Sequence, residues 1–173
     1  VVRYGNVIGS RGSVIPYFKN LLDKKKVLPL TSKEMTRFFI PIQDALKFVL
    51  FSLNRSKGGE IFIPKMNSIK MVDLINLLNP KAKIKLIGIR PGEKLHEIMC
   101  PSDDSHLTIE FDDHYVICPS ITFFSRKNDF TLNALNEKGK LVDQGFEYHS
   151  GLNPNFLNLD EIRSYNNMDS SKV

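Results

Sequence analysis

The chain opens with Val1-Val2-Arg3-Tyr4-Gly5-Asn6-Val7-Ile8-Gly9, and this stretch points to the fold class. The apolar, β-branched residues over positions 1–7 predict a β-strand, and the glycine that follows predicts a loop. In open α/β sheets, ligands bind just beyond the carboxyl ends of the strands. Asn6 therefore stands where a side-chain amide could contact a phosphate or a sugar. The simpler alternative is an Asn that organises its own turn.

Strands and helices then alternate along the first hundred residues. Apolar periodicity predicts helices over residues 14–22 and 43–53, and strands over residues 36–40, 60–64 and 83–89. This alternation predicts an α/β or α+β arrangement. The strands are too few for a complete doubly wound sheet and the chain does not begin with Met, so we expect it to be part of a longer protein.

Three local features are predicted from the same patterns. The second helix has one apolar stripe, made of Ala45, Leu46, Val49, Leu50 and Leu53. Ser68 precedes another periodic run and is predicted to cap a helix there. A further short helix is predicted over residues 93–99, after the turn at Pro91-Gly92.

The composition is that of an ordinary globular protein, with 42% hydrophobic and 25% charged residues among 173. No apolar run approaches the roughly 20 residues of a membrane span, and there is no signal-peptide pattern. The two cysteines form neither a disulfide framework nor a zinc spacing, so we expect a reducing, cytoplasmic setting. The net charge of +5 fits a ligand that carries phosphates. Dispersed basic residues argue against a nucleic-acid-binding module.

Arg90-Pro91-Gly92-Glu93 is the clearest candidate binding motif. An arginine fork matches a pair of phosphate oxygens, whereas an ionised glutamate only accepts hydrogen bonds and so suits a sugar diol. The pair predicts a site for a nucleoside diphosphate, with a solvated ion pair on a surface turn as the alternative. Arg37 lies on an apolar strand and needs a partner, either a carboxylate such as Asp44 or a ligand phosphate. The histidines have no metal-ligand spacing, so no metal site is predicted.

Four longer segments follow one another along the chain: Arg3-Tyr4-Gly5-Asn6-Val7-Ile8-Gly9-Ser10-Arg11-Gly12-Ser13-Val14-Ile15-Pro16, Met35-Thr36-Arg37-Phe38, Gly58-Gly59-Glu60-Ile61-Phe62-Ile63-Pro64-Lys65 and Ile87-Gly88-Ile89-Arg90-Pro91-Gly92-Glu93-Lys94-Leu95-His96-Glu97. In this order they resemble the C-terminal half of the inverting UDP-N-acetylglucosamine 4,6-dehydratases. That family lies in the polysaccharide-biosynthesis (CapD-like) branch of the extended short-chain dehydrogenase/reductases.

The resemblance implies an α/β fold, namely the C-terminal part of an NADP-binding Rossmann-type protein with its smaller α+β substrate domain. Residues 1–125 would hold the end of the Rossmann core and the substrate domain, and residues 126–173 a partly irregular extension. The implied reaction converts UDP-N-acetylglucosamine to a UDP-4-keto-6-deoxy sugar with inversion at C5. In it a hydride passes through NADP from C4 to C6. The full-length protein would be a homo-oligomer that serves bacterial surface-glycan synthesis.

The resemblance also implies roles for individual residues. The substrate's diphosphate and nucleotide would be held by Asn6, Val14, Thr31, Arg37, Arg90 and Glu93, with Asn6, Arg37 and Arg90 on the diphosphate and Glu93 on the ribose. The cofactor would be lined near its nicotinamide end by Val7, Ile8, Gly9, Ser10 and Arg11.

The chain departs from the family in its catalytic residues. The family's Gly-rich cofactor loop, its Thr-Asp-Lys segment and its Tyr-x-x-x-Lys pair have no counterpart in this sequence. Acid–base catalysis needs a base within hydrogen-bond reach of its proton, so we expect no catalytic residue here and no activity from this chain alone. Three alternatives stay open: a UDP-sugar 4-epimerase, a retaining dehydratase, and a non-catalytic remnant that binds nucleotide sugars.

Overall fold

The computed structural model of the protein describes residues 1–8, 10, 13–121, 129–158 and 160–162. Within these residues there are three α-helices: α1 (Val14–Asp23), α2 (Ile42–Arg55) and α3 (Met71–Leu78). A 3-10 helix spans Ser102–Leu107. The strands are short, and they are β1 (Asn6–Ile8), β2 (Leu28–Leu30), β3 (Thr36–Pro41), β4 (Ile61–Pro64), β5 (Asn67–Lys70), β6 (Ile84–Leu86), β7 (Ile98–Cys100), β8 (Thr108–Glu110), β9 (His114–Ile117), β10 (Lys140–Leu141) and β11 (Tyr148–His149).

The described residues divide into two compact units, each assembled from three separate stretches of chain. The first unit takes its residues from Val1–Tyr4, Gln43–Lys65 and Ile98–His149. The second takes them from Gly5–Ile42, Met66–Glu97 and Ser150–Val173. The division at residue 125 into a core and an extension stays a prediction.

The second unit combines parallel strand pairs with helices. Its larger sheet has the order β1-β3-β5, in which β1 is parallel and β5 antiparallel to the central strand. A further parallel pair joins β2 to β6. The apolar faces of α1 and α3 pack into one core, with Ile15 and Phe18 from α1 and Leu74 and Ile75 from α3. These parallel pairs with helical connections confirm the α/β class.

The first unit is built on an antiparallel sheet with the order β10-β8-β9-β4. Val2 adds an isolated parallel bridge to Phe62 of β4, and β7 pairs separately with β11. Phe48 of α2 packs with Phe62, Phe111 and their neighbours in a largely aromatic core. The strand predicted over residues 1–7 is therefore divided, because its first part pairs in this unit while β1 pairs in the other.

Two of the predicted helix features are wrong. Ser68 is no helix cap: it lies fully buried in β5, where its hydroxyl accepts a hydrogen bond from Asn153 at 3.0 Å. Residues 93–97 form no helix either, and the next element is strand β7. A helix would need the carbonyls of Lys94 and Leu95 for its own amides. Instead these carbonyls accept hydrogen bonds from Arg37 at 2.8 and 3.1 Å.

Most of the apolar stripe of α2 is exposed within the described chain. Ala45 is buried, together with Phe48 and Ser52. Leu46 and Leu53, by contrast, are 60% and 72% exposed within this chain. The helix carries apolar residues around much of its circumference, so its periodicity alone does not select the packed face.

Candidate functional site

Asn6 begins β1 and lies opposite Phe39 of the neighbouring parallel strand. The backbone approaches β3 closely here, because a Cβ on Gly5 would lie 2.6 Å from the Cβ and the carbonyl oxygen of Phe38. The exposed Asn6 side chain donates through Nδ2 to the Phe38 carbonyl oxygen at 3.3 Å and to Glu97 Oε1 at 3.1 Å. These partners are 32 and 91 residues away in sequence, so Asn6 does not merely organise its own turn.

The Arg90–Glu93 segment is a fixed turn that displays a guanidinium. The Glu93 amide donates to the Arg90 carbonyl oxygen at 3.0 Å, and Gly92 has φ +79, which glycine adopts without strain. The Glu93 carboxylate accepts from the Thr31 hydroxyl at 2.9 Å and from the Arg90 backbone amide at 3.3 Å. Arg90 and Glu93 therefore meet through backbone groups. Within the described residues, the Arg90 side chain is exposed and makes no ion pair or hydrogen bond.

Arg37 holds the segment that follows this turn. Its Nη1 donates to the carbonyl oxygens of Thr36 at 2.7 Å and Leu95 at 3.1 Å, and its Nη2 donates to that of Lys94 at 2.8 Å. Its side chain is 16% exposed, and its Nε lies 3.9 Å from Glu97 Oε1. The partner expected for Arg37 thus consists of three carbonyls and Glu97. Most of its hydrogen-bond donors are already committed to protein atoms.

Glu97 is the site residue that the sequence analysis missed. Its carboxylate accepts from the Phe38 amide at 2.9 Å and from Asn6, and it lies beside the Arg37 guanidinium. Its backbone amide donates to Ser150 Oγ at 2.9 Å, and its carbonyl oxygen accepts from the Ser150 amide at 2.8 Å. The sequence signal that could have identified Glu97 was its position four residues after Glu93, in the same motif. The residue that fixes its backbone lies 53 positions away.

The candidate site therefore consists of two small groups of polar residues. Asn6, Arg37 and Glu97 form one group, and Thr31, Glu93 and the Arg90 amide form the other. Residues 93–97 connect them. Val14 lies apart from both groups in its contacts, since it begins α1 and packs against the hydrophobic core of the second unit.

The structure describes three of the five residues that were predicted to line a cofactor. Val7 and Ile8 are half-buried in β1, and Ile8 packs against the core. Ser10 is exposed, and its amide donates to the Val7 carbonyl oxygen at 3.4 Å. Gly9 and Arg11 lie outside the described residues. The three described residues offer an apolar edge and a hydroxyl, which fits the flat nicotinamide ring of a dinucleotide but supplies no cation for a 2′-phosphate.

In the described part of the chain, no group of three or more His, Cys, Asp or Glu side chains is arranged to hold a metal ion. No described helix combines the length and the apolar character needed to cross a membrane.

Together, the parallel strand pairs and the displayed guanidinium define an α/β protein with a candidate anion site at the Arg90–Glu93 turn. The sequence profile of the family described as "Polysaccharide biosynthesis protein" matches residues 1–119, and the chain belongs to this family. The crystal structure of Pen from Bacillus thuringiensis matches 99% of this chain and 50% of its own length, with a TM-score of 0.78 at 29% sequence identity. This likeness supports the Rossmann-type fold class predicted for the chain.

The chain is similar to curated proteins of named activity. A UDP-N-acetylglucosamine 4,6-dehydratase (inverting) of Campylobacter jejuni serotype O:2 is 55% identical over 163 residues, which cover 94% of this chain and 49% of that protein. A UDP-glucose 4-epimerase of Rickettsia canadensis is 38% identical over 121 residues, which cover 68% of this chain and 36% of the epimerase. The chain thus spans about half the length of the curated dehydratase it matches.

Proposed function

We propose that this chain is the nucleotide-holding part of an NADP-dependent UDP-N-acetylglucosamine 4,6-dehydratase of the inverting type, active in bacterial surface-polysaccharide synthesis. Its 55% identity to a dehydratase of that description supports the reaction class. The observation that carries the proposal is one turn that combines a Glu93 carboxylate held by Thr31 and by the Arg90 backbone amide with an exposed, uncommitted Arg90 guanidinium.

The two charged residues would divide the nucleotide between them. Arg90 binds the diphosphate, because its planar fork can donate two parallel hydrogen bonds to phosphate oxygens. Glu93 accepts hydrogen bonds from the ribose hydroxyls through the lone pairs that Thr31 and the Arg90 amide leave free. Arg37 contributes by holding the carbonyls of Lys94 and Leu95, and thereby the turn itself.

The cofactor and the setting belong to the same proposal. NADP, when bound, supplies the hydride acceptor and donor, and Val7, Ile8 and Ser10 would line its nicotinamide end. The chain alone is expected to leave UDP-N-acetylglucosamine and NADP unchanged, since its sequence holds no Tyr-x-x-x-Lys pair. Detectable product from the purified chain would contradict that expectation. A cytoplasmic setting and homo-oligomerisation of the full-length protein complete the proposal.

Calorimetric titration with UDP tests the nucleotide site directly. Arg90→Ala removes a charge-assisted contact worth about 1.5–3 kcal/mol, so the dissociation constant for UDP is expected to rise about ten- to 150-fold. Lys85→Ala is the matched control, because it removes one exposed positive charge outside the turn. Equal effects of the two variants, or no saturable UDP binding by the unaltered chain, would count against the proposal.

A UDP-sugar 4-epimerase is the second candidate, favoured by the 38% identity to the Rickettsia enzyme. Both activities need the same nucleotide contacts, so UDP binding does not separate them. Product analysis of the protein that contains both halves does: dehydration gives a keto-deoxy sugar, whereas epimerisation gives an isomer of the substrate mass.

A further inference from the structure

Two acceptors determine which way the Asn6 side-chain amide points. Its Nδ2 faces the Phe38 carbonyl oxygen at 3.3 Å and the Glu97 carboxylate oxygen Oε1 at 3.1 Å. Both partners can only accept hydrogen bonds, so exchanging the amide nitrogen and oxygen would replace two hydrogen bonds by two repulsive contacts. The carbonyl oxygen Oδ1 is the atom left for a ligand. No donor among the described residues is bonded to it.

Glu97 is held firmly enough to impose this direction. Its second carboxylate oxygen, Oε2, accepts from the Phe38 backbone amide at 2.9 Å. Its backbone exchanges two hydrogen bonds with Ser150, at 2.8 and 2.9 Å. The Arg37 guanidinium lies 3.9 Å from Oε1 and offsets the negative charge of the carboxylate. If Oε2 moved away it would leave the amide of the fully buried Phe38 without a partner, which costs about 1–3 kcal/mol.

We propose that Glu97 is a positioning residue that turns Asn6 into a hydrogen-bond acceptor for the sugar of the bound nucleotide sugar. The inference rests on the proposed function and changes the role expected for Asn6. Phosphate oxygens carry no hydrogen that they could donate to Oδ1. A hexose hydroxyl or an acetamido N–H can donate to Oδ1. The assigned ligand group is therefore a donor on the sugar, and the diphosphate is left to Arg90.

Titration with UDP and with UDP-N-acetylglucosamine separates these roles. Asn6→Ala is expected to leave the dissociation constant for UDP within about twofold and to raise that for the nucleotide sugar about two- to tenfold, the worth of one net hydrogen bond. A contact with the diphosphate would instead weaken both ligands equally and overturn the inference. Selective weakening of NADPH binding would overturn it as well, because the donor would then lie on the cofactor.

Glu97→Gln tests the positioning role with almost no change of shape. A glutamine at this position has one acceptor oxygen for two donors, so Asn6 turns round or loses its partner. The variant should reproduce the selective loss seen with Asn6→Ala, and the double variant should show no further loss, since the two residues act as one unit. Glu34→Gln is the matched control, because Glu34 is exposed and its side chain has no recorded contact in the described structure. Additive losses would contradict the coupling.

A ligand-free measurement keeps this inference separate from the proposed function. The nuclear magnetic resonance signals of the Asn6 side-chain amide should show slowed hydrogen exchange in the unaltered chain. Exchange should become faster in Glu97→Gln and stay unchanged in Glu34→Gln. Exchange as fast as that of a free asparagine amide would overturn the inference. Absence of UDP binding alone would count against the proposed function.

Discussion

Lowering the pH below about 6.5 is expected to destabilise the first unit through His114. This side chain is 1% exposed, and its ring is stacked on Phe111 at a centroid distance of 4.6 Å and meets Phe51 edge-on at 5.0 Å. Its Nδ1 lies 2.6 Å from Asp113 Oδ1. Because a carboxylate accepts, Nδ1 carries the hydrogen and Nε2 carries a lone pair. Within the described residues Nε2 is buried without a partner, so protonation would place an unpaired charge among aromatic rings.

The direction of the effect follows from the pKa of His114. Burial lowers this pKa below its ordinary value; Asp113 opposes that shift through its hydrogen bond and charge, Glu137 opposes it more weakly, and Arg55 adds to it. Below about pH 6.5 the unfolded chain therefore binds a proton that the folded chain excludes. Above that pH, neutral His114 makes its full contribution to the free energy of unfolding. As the pH falls towards the pKa of His114 in the folded chain, this contribution decreases by up to about 1.4 kcal/mol per pH unit.

Urea unfolding at pH 7.5 and at pH 5.5 measures this loss. His114→Phe keeps an aromatic ring in the pocket and removes the titrating group, so its free energy of unfolding should fall less than that of the unaltered chain, by up to about 1.4 kcal/mol. His106→Gln is the control, since His106 is exposed, and it should retain the full dependence. The pKa of Glu137, lowered by its hydrogen bonds with Arg55 and Asn133, affects stability only at more acidic pH. Equal pH dependence in His114→Phe and the unaltered chain would refute the reasoning.

Three further predictions concern packing, loop anchoring and thiol reactivity. Gly139→Ala places a Cβ 2.8 Å from the Phe111 ring, and urea unfolding should show a loss of about 1–3 kcal/mol in stability. Arg37→Ala frees the carbonyls after the Arg90 turn, so amide exchange over residues 93–97 should accelerate, whereas unchanged exchange would show that the anchor is dispensable. Burial raises the pKa of Cys100 to about 12 and that of Cys118 to about 11. Mass spectrometry should therefore find iodoacetamide labelling at pH 8 only after unfolding, and rapid labelling of the native chain would contradict this.

The helices show how much local pattern can predict. The positions of α1 and α2 were predicted to within two residues, because amphipathic periodicity is a property of consecutive residues. The stripe does not show which face of α2 is packed, since Leu46 and Phe48 are both apolar and only the neighbouring strands decide which one is buried. The same limit explains Ser68, whose cap-like setting is overridden by a hydrogen bond to Asn153 at a separation of 85 residues.

In the candidate site, too, local features could be predicted from the sequence and contacts between distant residues could not. The Arg90–Glu93 motif was visible in the sequence, because charge type and turn chemistry are local. The expected place of Asn6 near the carboxyl end of a strand was wrong, since Asn6 begins β1 and the residues before it pair elsewhere. The family resemblance, confirmed by the profile match over residues 1–119, also came from the sequence. The helix predicted over residues 93–99 failed because the carbonyls it needed are held by Arg37, which lies 57 and 58 residues earlier.

The sequence by itself therefore determined the α/β class, the family, and the residue types that can meet a nucleotide sugar. Tertiary structure decided which hydrogen-bonding groups of each residue remain available to a ligand. Arg37 donates most of its hydrogen bonds to backbone carbonyls, whereas the Arg90 guanidinium has no partner among the described residues. The side-chain oxygen of Asn6 is available because its nitrogen is hydrogen-bonded to Glu97. The physical reason is that a side chain has few hydrogen-bonding groups, and partners distant in sequence occupy them first.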